Sequence, residues 1–317
     1  MKAVVIYEAG GPEKLIYTNV PLPQIKPGWS LVKIKSFGIN HSEIFTRQGL
    51  SPSVTFPRIL GIEAVGVIAE STDEVNLPIG QKIVSIMGEM GRAFDGGYAE
   101  YTLLPNSQIY PVTTDLSWEE LGAVPETYYT AYGSLLRLKI TEKDTILVRG
   151  GTSGVGIAFL KLVKAKFPNC PIDGTSRTLA KKEALLAAGF SDVVLDQDGK
   201  LLTEKKYNKI FELIGPATVK NSFDHLLDDG IVCSTGQLGG QWYLDEFDPI
   251  YDTKGGYLTG FPSGDVTSEK MNSLLDYISH YAINVKPNKV FALNQIREAH
   301  EYLEGNHSFG KAVIVND

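Results

Sequence analysis

Gly150-Gly151-Thr152-Ser153-Gly154-Val155-Gly156 is the stretch from which the rest of the chain is read. It follows the apolar run Thr145–Arg149 and opens a helical stretch over Val155–Phe167, the strand–turn–helix setting of a dinucleotide fingerprint. Glycines let the backbone turn tightly and approach a pyrophosphate closely. The last one lets the helix pack on the strand, and the free N–H groups and helix dipole favour the anion. The bare alternative is a tight βα turn with no ligand. A second strand-like run, Pro171–Thr175, ends at the distance a βαβ unit requires and favours the nucleotide. Gly151, Thr152, Ser153, Gly154, Val155 and Gly156 are therefore candidate cofactor contacts.

The end of that second run chooses between the two nicotinamide dinucleotides. A carboxylate there would hold a ribose 2′-hydroxyl, whereas basic groups accommodate a 2′-phosphate. The sequence reads Asp173-Gly174-Thr175-Ser176-Arg177-Thr178-Leu179-Ala180-Lys181-Lys182. Asp173 comes early enough to lie within the strand. Beyond the glycine stand hydroxyl residues, an Arg and two Lys, with no carboxylate until Glu183. Ser176, Arg177 and Lys181 are thus expected phosphate partners, and NADPH is the expected cofactor. The competing reading is a solvated basic helix start, although cations are not favoured at a helix N-terminus.

Outward from this unit the rhythm persists. Strand-like runs at Asp192–Leu195, Lys209–Ile214, Ile231–Thr235 and Tyr257–Gly260 alternate with helical stretches at about Leu179–Ala188, Ala217–Leu227 and Val266–Tyr281. Such alternation predicts a doubly wound parallel sheet with helices on both faces over residues 123–284. Residues 1–122 differ: short β-like runs such as Ala3–Ile6, Trp29–Phe37, Ala64–Ala69, Lys82–Met87 and Tyr98–Leu104 are divided by Gly/Pro turns, predicting a partly open β-barrel. The β-like runs Asn288–Leu293 and Lys311–Val315 then return residues 285–317 to that first domain, so the α/β chain is a barrel interrupted by a nucleotide-binding insertion.

Composition narrows the partners. The 317 residues carry 30 basic and 37 acidic side chains, a net charge of −7, which argues against nucleic acid or an anionic membrane as partner. No apolar run approaches the ~20 residues of a spanning helix, and no export signal is visible. Only two cysteines occur, Cys170 in or beside the second strand-like run and Cys233 within a later apolar strand, and both read as buried small hydrophobes. A cytoplasmic location is the expectation.

The chain resembles the medium-chain dehydrogenase/reductase superfamily, and within it the zinc-independent quinone oxidoreductase branch. The landmarks, in order, are Gly38-Ile39-Asn40-His41-Ser42-Glu43, Gly61-Ile62-Glu63-Ala64-Val65-Gly66, Gly96-Gly97-Tyr98-Ala99-Glu100-Tyr101, the glycine turn, Gly236-Gln237-Leu238-Gly239-Gly240 and Gly310-Lys311-Ala312. The resemblance implies a GroES-like barrel catalytic domain, a Rossmann cofactor domain, a homodimer formed through the latter, and a small-molecule substrate bound in the cleft. In the zinc-dependent relatives the first landmark carries a Cys ligand where this chain has Asn40, and the second a His ligand where it has Ile62. Isoleucine has no lone pair and an amide is a poor zinc ligand, so no catalytic metal is expected. Without a Lewis acid, a conjugated acceptor is the easier substrate, because hydride delivery to a quinone or to the β-carbon of an enone leaves a delocalised anion. An NADPH-dependent reductase of quinones or α,β-unsaturated carbonyls is the resulting expectation. A 2-enoyl thioester or 2-alkenal reductase, or an NADPH-binding sensor with little turnover, are its rivals.

The resemblance also suggests roles. Asn40 would contact the acceptor oxygen or the nicotinamide ribose, with a satisfied turn residue as the alternative. His41 would relay protons or meet cofactor phosphates, unless it is an ordinary surface or core histidine. Glu63 is a catalytic candidate or a structural acceptor. Thr130 falls where relatives place a hydroxyl near the nicotinamide, and Lys311 would lie close to the cofactor. Gly236, Leu238 and Phe261 follow later strands at the carboxyl edge, where ligands bind. Arg47 is either an anion clamp or an exposed helix residue. Tyr98, Tyr101, Tyr128 and Tyr129 line the pocket or, more commonly for such aromatics, the core.

Overall fold

The order of strands in the half that carries the glycine turn follows from that turn outward. The computed structural model describes residues 1–305 and 308–316. It divides into two compact units, one of Met1–Tyr129, Ser263–Tyr277 and Val285–Asp317, the other of Thr130–Pro262 and Ile278–Asn284. In the second unit, parallel strands stand in the order Asp192–Gln197, Ile172–Ser176, Ile146–Arg149, Tyr207–Glu212, Leu226–Ser234 and Tyr257–Gly260. This is the third-second-first-fourth-fifth-sixth arrangement of a Rossmann sheet, with the two halves meeting beside Ile146–Arg149. Lys200–Leu201 adds an antiparallel edge. The central strands are buried runs such as Ile-Leu-Val-Arg, as expected where helices cover both faces.

The first unit is built on Trp29–Gly38. This strand pairs antiparallel with Glu63–Glu70, Tyr101–Pro105 and Ala312–Val315. The sheet extends through Lys82–Ile86 and Tyr110–Pro111 on one side and Lys289–Ala292 on the other. A smaller sheet joins Ile16–Asn19, Lys2–Ile6 and Arg58–Ile59. The returning tail therefore does fold into the barrel, and the pair Val313↔Gly38 fixes its register. Helix Ile296–Glu304 seats Ile296, Ala299 and His300 in the core, the i, i+3, i+4 spacing of one helical face.

Three local readings differ from the sequence expectation. Residues 123–129 and Ser263–Tyr277 group with the barrel unit rather than with an insertion spanning 123–284. The helix expected over Ala217–Leu227 closes at Asp224, because Leu226 already pairs with Tyr207 in the sheet. A helix over Pro125–Leu138, with good formers but two adjacent tyrosines and a glycine, is a further element.

Candidate functional site

Four side chains from three distant segments converge in the barrel unit. Asn40 precedes helix His41–Arg47, Glu63 begins a strand, and Lys311 enters the last strand, brought beside residue 38 by the tail's register. Lys311 Nζ donates to Asn40 Oδ1 at 2.7 Å, Glu63 Oε1 at 2.9 Å and the Ile39 carbonyl at 3.4 Å, which uses all three ammonium hydrogens. Asn40 Nδ2 donates to Glu63 Oε1 at 2.9 Å and to Glu43 Oε1 at 3.3 Å. Glu63 Oε2 accepts the Glu126 N–H at 2.7 Å, in the first turn of helix Pro125–Leu138. Glu43 Oε1 also accepts the Ile62 N–H at 3.4 Å. An ammonium only donates and a carboxylate only accepts, so this surrounding dictates which way the Asn40 amide faces. Both of its N–H bonds are spent inward, and Oδ1 retains one lone pair. Gly38 makes room for the cluster: a Cβ there would lie 2.2 Å from Lys311 Cε and 2.4 Å from Glu63 Oε1.

This donor set does not fit a zinc ion. The Asn40 oxygen is already held by an ammonium, Ile62 is buried and offers no lone pair, and Glu63 is ion-paired. Among the described residues no group of three or more His, Cys, Asp or Glu side chains is arranged to hold a metal.

Arg47 is neither an exposed residue nor an open anion clamp. It is buried and makes a bidentate pair with Glu304 at 2.7 and 3.0 Å, with Nε on the Gly10 carbonyl. Its Nη1 also reaches His300 Nδ1 at 3.3 Å, and His300 Nε2 meets the Tyr98 hydroxyl at 2.9 Å. Burial, then the neighbouring Arg47 and His41, drive the His300 imidazole down to about 3. It is therefore neutral, with Nδ1 accepting and Nε2 donating. Tyr98 and Tyr128 are core residues whose hydroxyls burial holds well above the usual range, and Tyr129, also in the core, is pushed up to about 12. His41, partly exposed, heads the helix.

In the second unit the glycine turn is organised by two hydroxyls. Ser153 caps helix Gly154–Lys166, accepting the Gly156 N–H and donating to the Gly150 carbonyl at 2.7 Å. Thr175, which the sequence reading did not single out, accepts the Gly150 N–H at 2.9 Å and ties the turn to the neighbouring strand. Gly150 has φ +94°, and a Cβ on Gly156 would lie 2.6 Å from the Gly150 oxygen. The first N–H groups of the helix, which have no intrahelical carbonyl to meet, thus open at the carboxyl edge of the sheet. Leu238 lies against the turn, 3.7 Å from the position of a Cβ on Gly150. Gly236 donates to the Glu212 carbonyl. Phe261 packs on Gly133, one turn beyond Thr130, and Ser134 links the Thr130 carbonyl to the Thr235 hydroxyl.

At the end of the second strand, Ser176 is buried while Arg177 is exposed and Lys181 half-buried. Partial burial, and then the charge of Arg177, lower the Lys181 ammonium. Two cations therefore face one locality. Asp173 lies within the strand and is taken by Tyr207 at 2.9 Å and Lys205 at 3.1 Å, away from any ribose role. Beneath the turn, Arg149 spends all five N–H bonds on Asp196, Thr218, Ser222 and Gly199. These residues fit a dinucleotide with a 2′-phosphate: close backbone approach, open N–H groups and paired cations.

Comparison with known proteins bears on both units. Residues 26–114 match the family described as alcohol dehydrogenase GroES-like domain, and residues 188–314 the family described as zinc-binding dehydrogenase. The quinone oxidoreductase of Lama guanicoe is 27% identical over 256 residues, 75% of this chain and 74% of that protein. The solved quinone oxidoreductase from Coxiella burnetii superposes with a TM-score of 0.84 at 24% identity, over 99% of both chains. A mycobacterial protein complexed with NADPH superposes with a TM-score of 0.82 at 23% identity, over 99% of this chain and 100% of that one. The second family's description names a metal that the Asn40–Glu63–Lys311 donor set does not suit.

Proposed function

Because the chain belongs to the medium-chain dehydrogenase/reductase superfamily, in its quinone oxidoreductase-like branch, we propose that it is a metal-independent reductase that uses NADPH to reduce a quinone or an α,β-unsaturated carbonyl. The observation that carries this reading is the Lys311–Asn40–Glu63 cluster, which fills with an internal cation and its partners the place where zinc relatives gather ligands. The nicotinamide, when bound, supplies a hydride. The protein's part is to bind, orient and exclude water.

On this reading the N–H groups of Gly154 and Val155 meet the pyrophosphate, while Ser176, Arg177 and Lys181 take the 2′-phosphate. The NADPH-bound mycobacterial neighbour supports that choice. On the same reading Thr130 and Phe261 are the second unit's own candidate contacts to the cofactor. Asn40 accepts a hydroxyl through its remaining lone pair, which favours the nicotinamide ribose over the acceptor oxygen, since no Asn40 N–H remains to donate. Lys311 acts through Asn40 and Glu63 rather than by direct contact with the cofactor. A delocalised phenolate or enolate needs only modest stabilisation, so water and a few donors replace a Lewis acid.

The second copy expected for the family would pair through strand Tyr257–Gly260. Among the described residues no strand pairs with its outer edge, and Ile250, Tyr251 and Tyr257 beside it are exposed. Two free, buried cysteines agree with a reducing compartment, and among the described residues no helix is long and apolar enough to cross a membrane.

The test is to mix the protein with NADPH and a panel of quinones, enones and a 2-enoyl thioester, following the nicotinamide absorbance. Consumption with quinones or simple enones supports the reading. Preference for the thioester moves it to the enoyl reductases. Tight NADPH binding without consumption moves it to a sensor.

A further inference from the structure

Glu43 takes no part in the reaction proposed above, yet it lies against the residues that do. It is 1% exposed, on helix His41–Arg47, three residues beyond Asn40. Its Oε1 receives two long hydrogen bonds from neutral donors, 3.3 Å from Asn40 and 3.4 Å from the Ile62 N–H, while Oε2 is buried with no hydrogen-bond partner among the described residues. The charged and titratable groups facing it are Glu63 from its strand, Lys311 from the returning tail and Tyr98. Lys311 is committed to Glu63 at 2.9 Å. An ionised Glu43 would set a second negative charge beside Glu63 with one ammonium for both, and would leave a buried oxyanion with no donor. Burial first, and Glu63 second, push its carboxyl up to about 8, against the opposing pull of Lys311.

We propose that Glu43 is carried as a neutral carboxylic acid at neutral pH and serves as a positioning residue, its protonation keeping Lys311 and the Asn40 amide committed to Glu63 so that the open lone pair of Asn40 stays presented. Loss of that proton to solvent creates a competitor for the same ammonium and the same amide hydrogens, and draws Asn40 out of its orientation. The protonation state is a property of the chain by itself; its effect on turnover rests on the reductase reading.

Urea unfolding without cofactor tests the first part. The folded carboxyl is raised from its ordinary 4.5, so the native state holds an extra proton between that value and about 8, and stability from this group falls as pH rises through the window. Relative to Glu43→Gln, the folding equilibrium constant of the wild-type chain should fall close to tenfold per pH unit between about pH 5 and 7. A ratio that stays flat overturns the proposal. If the variant does not fold, infrared difference spectra of the wild-type chain between about pH 6 and 9.5 serve instead. Loss of a buried protonated carboxyl band is expected, and its absence overturns the proposal. For turnover, kcat/KM of the wild type should drop above about pH 8. Glu43→Ala should lose at least tenfold at neutral pH, and Glu43→Gln should restore that loss and lack the alkaline limb. An alkaline limb that survives in Glu43→Gln, or failure of Gln to rescue, contradicts the positioning role. If no acceptor is consumed at any pH, the reductase reading fails while the unfolding and infrared results still decide the state of Glu43.

Discussion

Asn40 gains its meaning from its neighbours. Taken alone, an Asn after an apolar strand suits a turn backbone as well as a substrate. Held between one ammonium and two carboxyls, it has a single orientation and a single spare acceptor. The linchpin is Lys311: it is buried, and its removal strands Glu63 as an uncompensated charge. Lys311→Met should therefore cost about 3–5 kcal/mol in urea unfolding, far more than an exposed ion pair. A second residue-scale expectation concerns His300. Its folded pKa lies near 3, below the ordinary 6.5, so the unfolded chain takes up a proton first as pH falls. Stability from this group is present above about 6.5 and is lost progressively down to about 3. Comparing the thermal unfolding of wild type and His300→Gln between pH 4 and 7 checks this, with the wild type alone carrying the extra acid sensitivity. In the sequence His300 carries no signal, and Glu43 only closes the first landmark with no role attached. Both depend on burial and on a second group far along the chain, and spacing does not reveal either.

At the scale of elements, the turn Gly150–Gly156 is where sequence and structure agree most closely. Its flanks are local: an apolar strand, a Ser cap and a helix, each specified by residues within a few positions. Gly156→Val should weaken cofactor binding at least tenfold, because its side chain would meet the Gly150 oxygen and push the helix off the strand. Isothermal titration with NADPH measures it, with the far-ultraviolet circular dichroism unchanged. Elements set by tertiary pairing were harder to read. Leu226 and Leu227 suit a helix by propensity, but the ladder with Tyr207 claims Leu226 for the sheet. Arg47 stays open in the sequence between an anion clamp and an exposed helix residue, because its partner Glu304 is more than 250 residues away in the chain.

For the whole molecule, the composition limited the partners and the order of landmarks set the two-part architecture. The limits of the units moved by several residues because two stretches, 123–129 and Ser263–Tyr277, pack with the barrel. The outer edge at Tyr257–Gly260 makes a solution prediction: sedimentation should give a dimer, and Tyr257→Asp should shift it toward monomer by placing a charge on the edge. The central claim is that this chain reduces conjugated acceptors with NADPH and without metal. It is tested most directly by measuring kcat/KM for NADPH and NADH side by side, with a quinone acceptor and a strong chelator present, in the wild type and in Arg177→Ala. The expected result is turnover that the chelator does not change, a clear preference for NADPH, and loss of at least tenfold for NADPH alone in the variant, the order of one charged hydrogen bond. Chelator-sensitive turnover, or NADH used as well as NADPH by the wild type, would contradict it.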